Sequence, residues 1–390
     1  MSIISLAQRF IRQLGFFLGL ALLAGVLGAF VYTALLPRLS TWPLTARIAW
    51  PGASLQNPTV IERTEQVVLS QEEGLEQFSV APRASVVSVI AIPVERVSRS
   101  QLAGGGTRHM SGLLVTNDGL VATYLNEAPL SDTWRYTVFF SDGTTSAATL
   151  VAYDSVVHVA FFRTERSDTP AIAFANSADI RQGRRFMVLA GTTDESGGKL
   201  ATGYIGERAR TFNLSAKTVG STDEWEGVLL PDRPLDSSFV GGAAVAMNGE
   251  LIGLVGSLTV DGLSRSFFLP SNAVRQSLQR VINGVSASRV GVGAYYVSLT
   301  RATALSLGVS RDQGALIYTP SEKPALAVIS GSLAERAGLQ YGDIVTAVNG
   351  QTINADRPLS VALYEAAVSR DTELTVLRAG SERTLTISRS

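Results

Sequence analysis

The chain contains no cysteine, which removes disulfides, thiolate metal sites and a cysteine nucleophile from consideration. Histidine is nearly as scarce: His109 and His158 are the only 2. That is too few for a histidine-rich metal centre, so no metal or other cofactor is expected. Net charge is missing too. With 33 basic and 33 acidic residues, no one-signed field points to a nucleic-acid partner. Acid–base chemistry falls to the two histidines or to carboxylates. What is present is length: 390 residues give room for several domains with cores of their own.

The N-terminus carries one long apolar run. "LGFFLGLALLAGVLGAFVYTALL", Leu14 to Leu36, has no charged residue and stops at Pro37. As a helix rising about 1.5 Å per residue it spans a hydrocarbon core of roughly 30 Å. A cleaved signal has a shorter apolar core, about 7–15 residues, and a small-x-small cleavage site, which this stretch lacks. The pattern predicts an uncleaved transmembrane helix over 14–36 after a cytoplasmic tail, 1–13. Arg9 and Arg12 before it, against Arg38 and Arg47 after it, bias the N-terminus only slightly inward. The expected topology is a single pass with the bulk extracytoplasmic, periplasmic or at the cell surface. Gly15 and Gly19 form a GxxxG pair, which fits helix packing or simply small residues in an apolar span.

Residues 37–75 are rich in turn formers and then in polar residues, and predict a stalk. From about residue 76, short β-type runs recur between turn signals: "ASVVSVIAI", "GLLVTNDGLVATYL", "RYTVFFSDGTTSAATLVAYD", "FMVLAG", "ELIGLVGSL". The "NDG" and "SDG" turns sit where hairpins require them. "PSNAVRQSLQRVING" predicts a helix capped by Ser271 or Asn272 and stopped by Gly284. A second strand-rich domain, 285–390, follows, with one helix near Leu359–Ala367. The fold class expected is mainly β: two β domains, a linker helix and an anchor.

These pieces, in this order, resemble the Deg/HtrA trypsin-like proteases with a C-terminal PDZ domain. "SGLLVTNDGLVATYLNEA" is similar to the family's strand, turn and histidine-bearing strand, and "YDSVVHVAFFR" to the segment holding its catalytic aspartate. "FANSADIRQGRRFMVLAG" resembles "GDS…LRxGDxVxAIG". "LDSSFVGGAAVAMNGELIGL" resembles the nucleophile region, and "SFFLPSNAVRQSLQRVI" the "GFAIPSN" helix entry. The resemblance implies a chymotrypsin-like double β-barrel over 76–284.

Carried over residue by residue, the resemblance puts Asn126 at the histidine position, His158 at the aspartate and Val240 at the serine. An amide has no group titrating near neutral pH to act as general base. Val240 has no oxygen with which to form an acyl-enzyme. His158 occupies an orienter's place with no base to orient. The expectation is a pseudoprotease. One alternative is an active endopeptidase with displaced residues, Ser237 or Ser238 working with His109. Against it, Ser237 and Ser238 read equally well as turn residues and His109 as a strand-edge polar group. Asp232 matches the family's "TDA" aspartate and reads as a carboxylate that fixes a loop through backbone N–H groups.

In the second domain, "SRVGVGAYYV" resembles the PDZ carboxylate-binding loop, with Arg289, Val290, Gly291 and Val292 in the loop positions. "ISGSLAERAGLQYGDIVTAVNG" matches the PDZ core. The resemblance implies that a peptide adds as a strand beside that loop, with Leu359 and Leu363 walling the pocket for its last side chain. It also implies partners that are protein C-termini or unfolded peptides, and assembly as a homotrimer or with an active relative. The function expected is a membrane-anchored HtrA/DegS-like adaptor or scaffold in envelope protein quality control. A structural envelope protein with no peptide ligand is the remaining alternative.

Overall fold

The computed structural model describes residues 3–31, 80–94, 107–126, 134–192, 198–215, 217, 219–260, 262–284, 291–321, 323–366 and 371–388, with side chains from residue 14 onward. Two units separate at Val68–Leu69. In the first, helix α1 (Ile3–Phe30) presents Leu14, Phe16, Phe17, Leu22 and Leu27 to the exterior. Its uncharged part, from Leu14 to Phe30, rises about 26 Å, short of the roughly 30 Å of a hydrocarbon core. Among the described residues no helix is long and apolar enough to cross a membrane. Residues 32–36 of the expected span, and the stalk over 37–75, lie outside the described residues.

In the second unit, six strands close a barrel: β1 (Val86–Pro93), β2 (Arg108–Leu114), β3 (Leu120–Tyr124), β4 (Trp134–Phe139), β5 (Thr145–Asp154) and β6 (Val159–Thr164), in the order β1-β2-β3-β6-β5-β4. Next come β7 (Arg185–Ala190), β8 (Lys199–Asn213), the short β9 (Gly220–Ser221), β10 (Glu226–Pro231), β11 (Ala243–Ala246), β12 (Leu251–Val260) and β13 (Leu263–Pro270). All but β9 close a second barrel, ordered β10-β13-β12-β11-β7-β8.

The side-chain period of two along a strand explains why "LVATY" and "FMVLA" are apolar almost throughout. Val121 points into the first barrel with Val87, Val89 and Phe162. Its neighbours Leu120, Ala122 and Tyr124 point the other way, into the layer between the barrels. On β7, Phe186 and Val188 fill the second barrel, and Met187 and Leu189 join the shared layer. Both faces are buried, so the alternation of a half-exposed strand is absent.

Helix α2 (Ser271–Ile282) follows β13. Ser271 and Asn272, expected to cap it, are used otherwise: the N-cap is Pro270, with no side-chain cap bond. The Ser271 hydroxyl donates to the Ala175 carbonyl at 2.9 Å, and Asn272 Oδ1 accepts from the Ser177 N–H at 3.3 Å. Tertiary bonding has taken the capping groups.

The last domain holds β14 (Tyr295–Ser298), α3 (Arg301–Leu307), β15 (Ala315–Ile317), α4 (Leu333–Arg336), β16 (Ile344–Val348), β17 (Gln351–Thr352), α5 (Leu359–Ala366), β18 (Asp371–Arg378) and β19 (Ser381–Ser388). Its sheet runs β19-β18-β16-β15-β14-β9, so the edge of β14 is extended by β9, a strand from between the second-barrel strands β8 and β10. That pairing decides what the domain's groove contains.

Candidate functional site

A cleft between the barrels gathers His109, Asn126, Lys199, Ser237, Ser238 and Val240 along its wall. Asn126 is exposed just past the end of β3, whereas Val240 is half-buried and packs against the inter-barrel layer. His158 is not among the lining residues. It sits at φ +57°, its side chain 14% exposed, with Nδ1 3.0 Å from the Tyr153 hydroxyl and Nε2 2.9 Å from Glu224 Oε2. Its ring is therefore engaged away from the cleft. Tyr124, which does line the cleft, is buried; its hydroxyl has no partner among the described residues, and burial pushes its pKa up. A phenol that holds its proton this firmly is no general base at neutral pH.

The turn before Val240 is a short 3₁₀ segment, Ser237–Phe239. In a serine protease the oxyanion hole uses the N–H of the nucleophile position and of the residue two before it. On the register expected from the sequence, those are Val240 and Ser238. The Val240 N–H donates to the Ser237 carbonyl at 3.1 Å, and the Ser238 N–H to Asp236 Oδ1 at 2.9 Å. The intervening Phe239 N–H donates to the Asp236 carbonyl at 3.0 Å. Gly241 and Gly242 donate to Val255 and Phe239 carbonyls at 2.8 and 2.9 Å. Every amide from Ser238 to Gly242 is thus satisfied within the protein, and none is left for a developing oxyanion.

The glycine pair is explained by packing alone. Gly241 has φ +81°, and a Cβ there would lie 2.2 Å from the Ser111 carbonyl oxygen; at Gly242 one would lie 2.4 Å from that of Leu189. Ser237 and Ser238 make no hydrogen bond to His109 among the described residues; His109 is an exposed residue of β2 opposite Ile90. Asp232 accepts from the Tyr204 N–H at 3.0 Å, fixing a loop through backbone.

A second constellation lies on the segment Gly220–Glu226. Its β9 pairs antiparallel with β14, Ser221 opposite Tyr295 and Gly220 opposite Tyr296. The Thr222 N–H extends the ladder to the Ala294 carbonyl at 3.0 Å. Asp223 then meets the loop before β14: Val292 N–H donates to its Oδ1 at 2.7 Å and Gly293 N–H to its Oδ2 at 3.2 Å. A Cβ on Gly291 would lie 2.5 Å from the same carboxylate. Glu224 reaches His158, and Trp225 stacks edge-on against Tyr364 of α5 with centroids 5.6 Å apart. Glu226 is buried beneath β14, where Oε2 accepts from the Tyr296 hydroxyl at 2.6 Å and the Ser298 hydroxyl at 2.8 Å. Burial raises its pKa to about 7, against the opposing pull of those two hydrogen bonds. Tyr364 completes the docking: its hydroxyl donates to Asp154 Oδ2 at 2.5 Å, and Arg280 lies over its ring and donates to its carbonyl.

Residues 103–254 match the trypsin-like peptidase domain and residues 325–378 the PDZ domain. The chain joins a trypsin-like domain to a PDZ domain. It is similar to a probable periplasmic serine endoprotease, DegP-like, of Rhizobium meliloti: 27% identical over 281 residues, 71% of this chain and 52% of the relative. It is also similar to a probable periplasmic serine protease, do/HhoA-like, of Haemophilus influenzae: 29% identical over 275 residues, 69% of this chain and 55% of the relative. The chain thus spans about half the length of these curated relatives. Among solved structures it resembles the HtrA-type protease AlgW with a decapeptide: TM-score 0.57 and 20% identity, covering 80% of this chain and 97% of that one. The same protease with a tripeptide gives a TM-score of 0.58 at 19% identity, covering 80% and 95%. At such identity the likeness concerns the fold.

Of the PDZ residues singled out in the sequence, Gly291 and Val292 lie in the loop that holds Asp223, whereas Arg289 and Val290 lie outside the described residues. Leu359 and Leu363, expected to wall a ligand pocket, are 1% and 2% exposed and pack in the PDZ core with Val345 and Leu374. The α5 side chains that meet the trypsin-like domain are Val361 and Tyr364. Sequence reasoning also missed the segment "TDEWE", whose signal was three carboxylates flanking one tryptophan within a strand-rich stretch. It missed Asp236 as well, placed two residues before Ser238 as in an Asx turn.

Proposed function

We propose that this is an extracytoplasmic, membrane-anchored Deg/HtrA-type protein that no longer cleaves peptides and serves as a peptide-sensing adaptor or scaffold in envelope protein quality control. The observation that carries the reading is the turn before Val240. A serine protease stripped of its triad keeps roughly 10³–10⁴-fold catalysis over water from its oxyanion hole and binding. Here the nucleophile position is hydrocarbon, the base position is an amide, and both hole amides bond within the turn. Losing even one such donor costs roughly 10²–10³ in kcat. The remaining chemistry is recognition, for which a PDZ domain is suited.

The uncharged run Leu14–Leu36 supports the anchor, and the periplasmic relatives support the compartment. Assembly as a homotrimer, or with an active relative, belongs to the same proposal. The test is digestion of an unfolded protein by the wild-type chain and by Val240→Ser, which restores a hydroxyl but no base. Neither should cleave; sustained turnover by the wild type overturns the reading. The filled PDZ edge favours one second reading, a structural envelope protein with no peptide ligand.

A further inference from the structure

A peptide that binds a PDZ domain does three things at once. It runs antiparallel to the strand after the loop, sets its carboxylate on the loop amides, and rests against the neighbouring helix. The segment Gly220–Trp225 does all three from within the same chain. It runs antiparallel to β14 toward the loop. The Asp223 carboxylate sits on the Val292 and Gly293 amides, 2.7 and 3.2 Å away. Trp225 closes the side toward α5 through Tyr364. A side-chain carboxylate, rather than a chain terminus, supplies the anion.

We infer that Gly220–Trp225 is a built-in ligand of the PDZ groove, with Asp223 standing in for a terminal carboxylate, so that a peptide with a free C-terminus binds only by displacing it. The inference rests on the proposed peptide binding and adds its regulation. A tethered competitor lowers apparent affinity by the fraction of time the groove is open. Displacement also has a consequence elsewhere. The residue after Asp223 is Glu224, 2.9 Å from His158 Nε2, and the Trp225 N–H donates to the Val156 carbonyl at 2.9 Å. Withdrawing the segment removes both contacts, so displacement of the built-in ligand changes the surroundings of His158.

The experiment titrates the full-length chain in detergent with one peptide ending in a free apolar residue and with its C-terminal amide. The forms compared are wild type, Asp223→Ala and the near-isosteric Asp223→Asn, which keeps an acceptor and guards against misfolding of the alanine variant. The free-acid peptide should bind Asp223→Ala at least about tenfold more tightly than wild type, with Asp223→Asn between them. The amide should gain little in any form. Because the chain has only 2 histidines, ring NMR signals of His158 and His109 are readily told apart. Saturating the wild type should shift those of His158 and leave His109 in place. Equal affinity for wild type and both variants, or binding to wild type without a shift at His158, overturns the built-in ligand while leaving peptide binding intact. No binding to any folded form overturns peptide binding, and the competition with it.

Discussion

Burial of Glu226 predicts that the stability of the fold depends on pH. Glu226 is 3% exposed, and burial raises its pKa from 4.5 to about 7 although two hydroxyls donate to it. Below pH 4.5 it is protonated in folded and unfolded chains alike, and its contribution to stability is fully present. As pH rises from 4.5 to about 7 only the unfolded chain gives up the proton, so stability falls by roughly 1.4 kcal/mol per pH unit. Over that window the loss is about 3 kcal/mol; above it, none is added. Glu226→Gln keeps an acceptor for Tyr296 and Ser298 but cannot ionise. At pH 4 the variant should match wild type within about 1 kcal/mol, the net value of a hydrogen bond. At pH 8 it should be the more stable by about 3 kcal/mol. The assay is urea unfolding of both proteins at paired pH values, comparing the first transition because a multidomain chain need not unfold in one step. A wild-type-to-variant difference that is flat between pH 4 and 8 refutes the reasoning.

Two other substitutions test the packing. Gly241→Ala should lower the urea midpoint through about 1–3 kcal/mol of backbone strain at φ +81°, plus the clash of its Cβ with the Ser111 carbonyl oxygen. An unchanged midpoint would mean that the glycine is not retained for folding. Tyr364→Phe removes the hydroxyl that donates to buried Asp154, leaving the Ser277 hydroxyl and the Val156 N–H. The expected cost is about 1–3 kcal/mol in the same titration, and a neutral result would remove this bond from the docking account.

The barrels were legible because strand chemistry and turn chemistry agree. The "NDG" turn needs Gly119 at φ +83°, and the apolar run after it is buried on both faces of β3. The Gly-Gly pair and the "NDG" turn also set the register on which the proposal places Val240 and Asn126 at the nucleophile and base positions. Three things were not. Helix α5 is apolar almost all round, because one side feeds the PDZ core and the other meets the trypsin-like domain. Its pattern therefore could not separate Leu359 and Leu363 from Val361 and Tyr364. The helix-start residues Ser271 and Asn272 were diverted by partners almost a hundred positions away in sequence, which no local motif encodes. And the acids of "TDEWE" look like a solvated turn until the fold brings Asp223 to one domain's loop, Glu224 to His158 and Glu226 beneath β14.

The account's central claim is that this trypsin-like domain has no serine able to attack. The most direct measurement is covalent labelling of the full-length chain by a fluorophosphonate probe, with and without a saturating C-terminal peptide, alongside Ser237→Ala and Ser238→Ala. The account predicts no adduct in any of the three proteins, in either state. An adduct on the wild type that disappears in Ser237→Ala or Ser238→Ala would contradict it and establish a displaced nucleophile in the cleft beside His109.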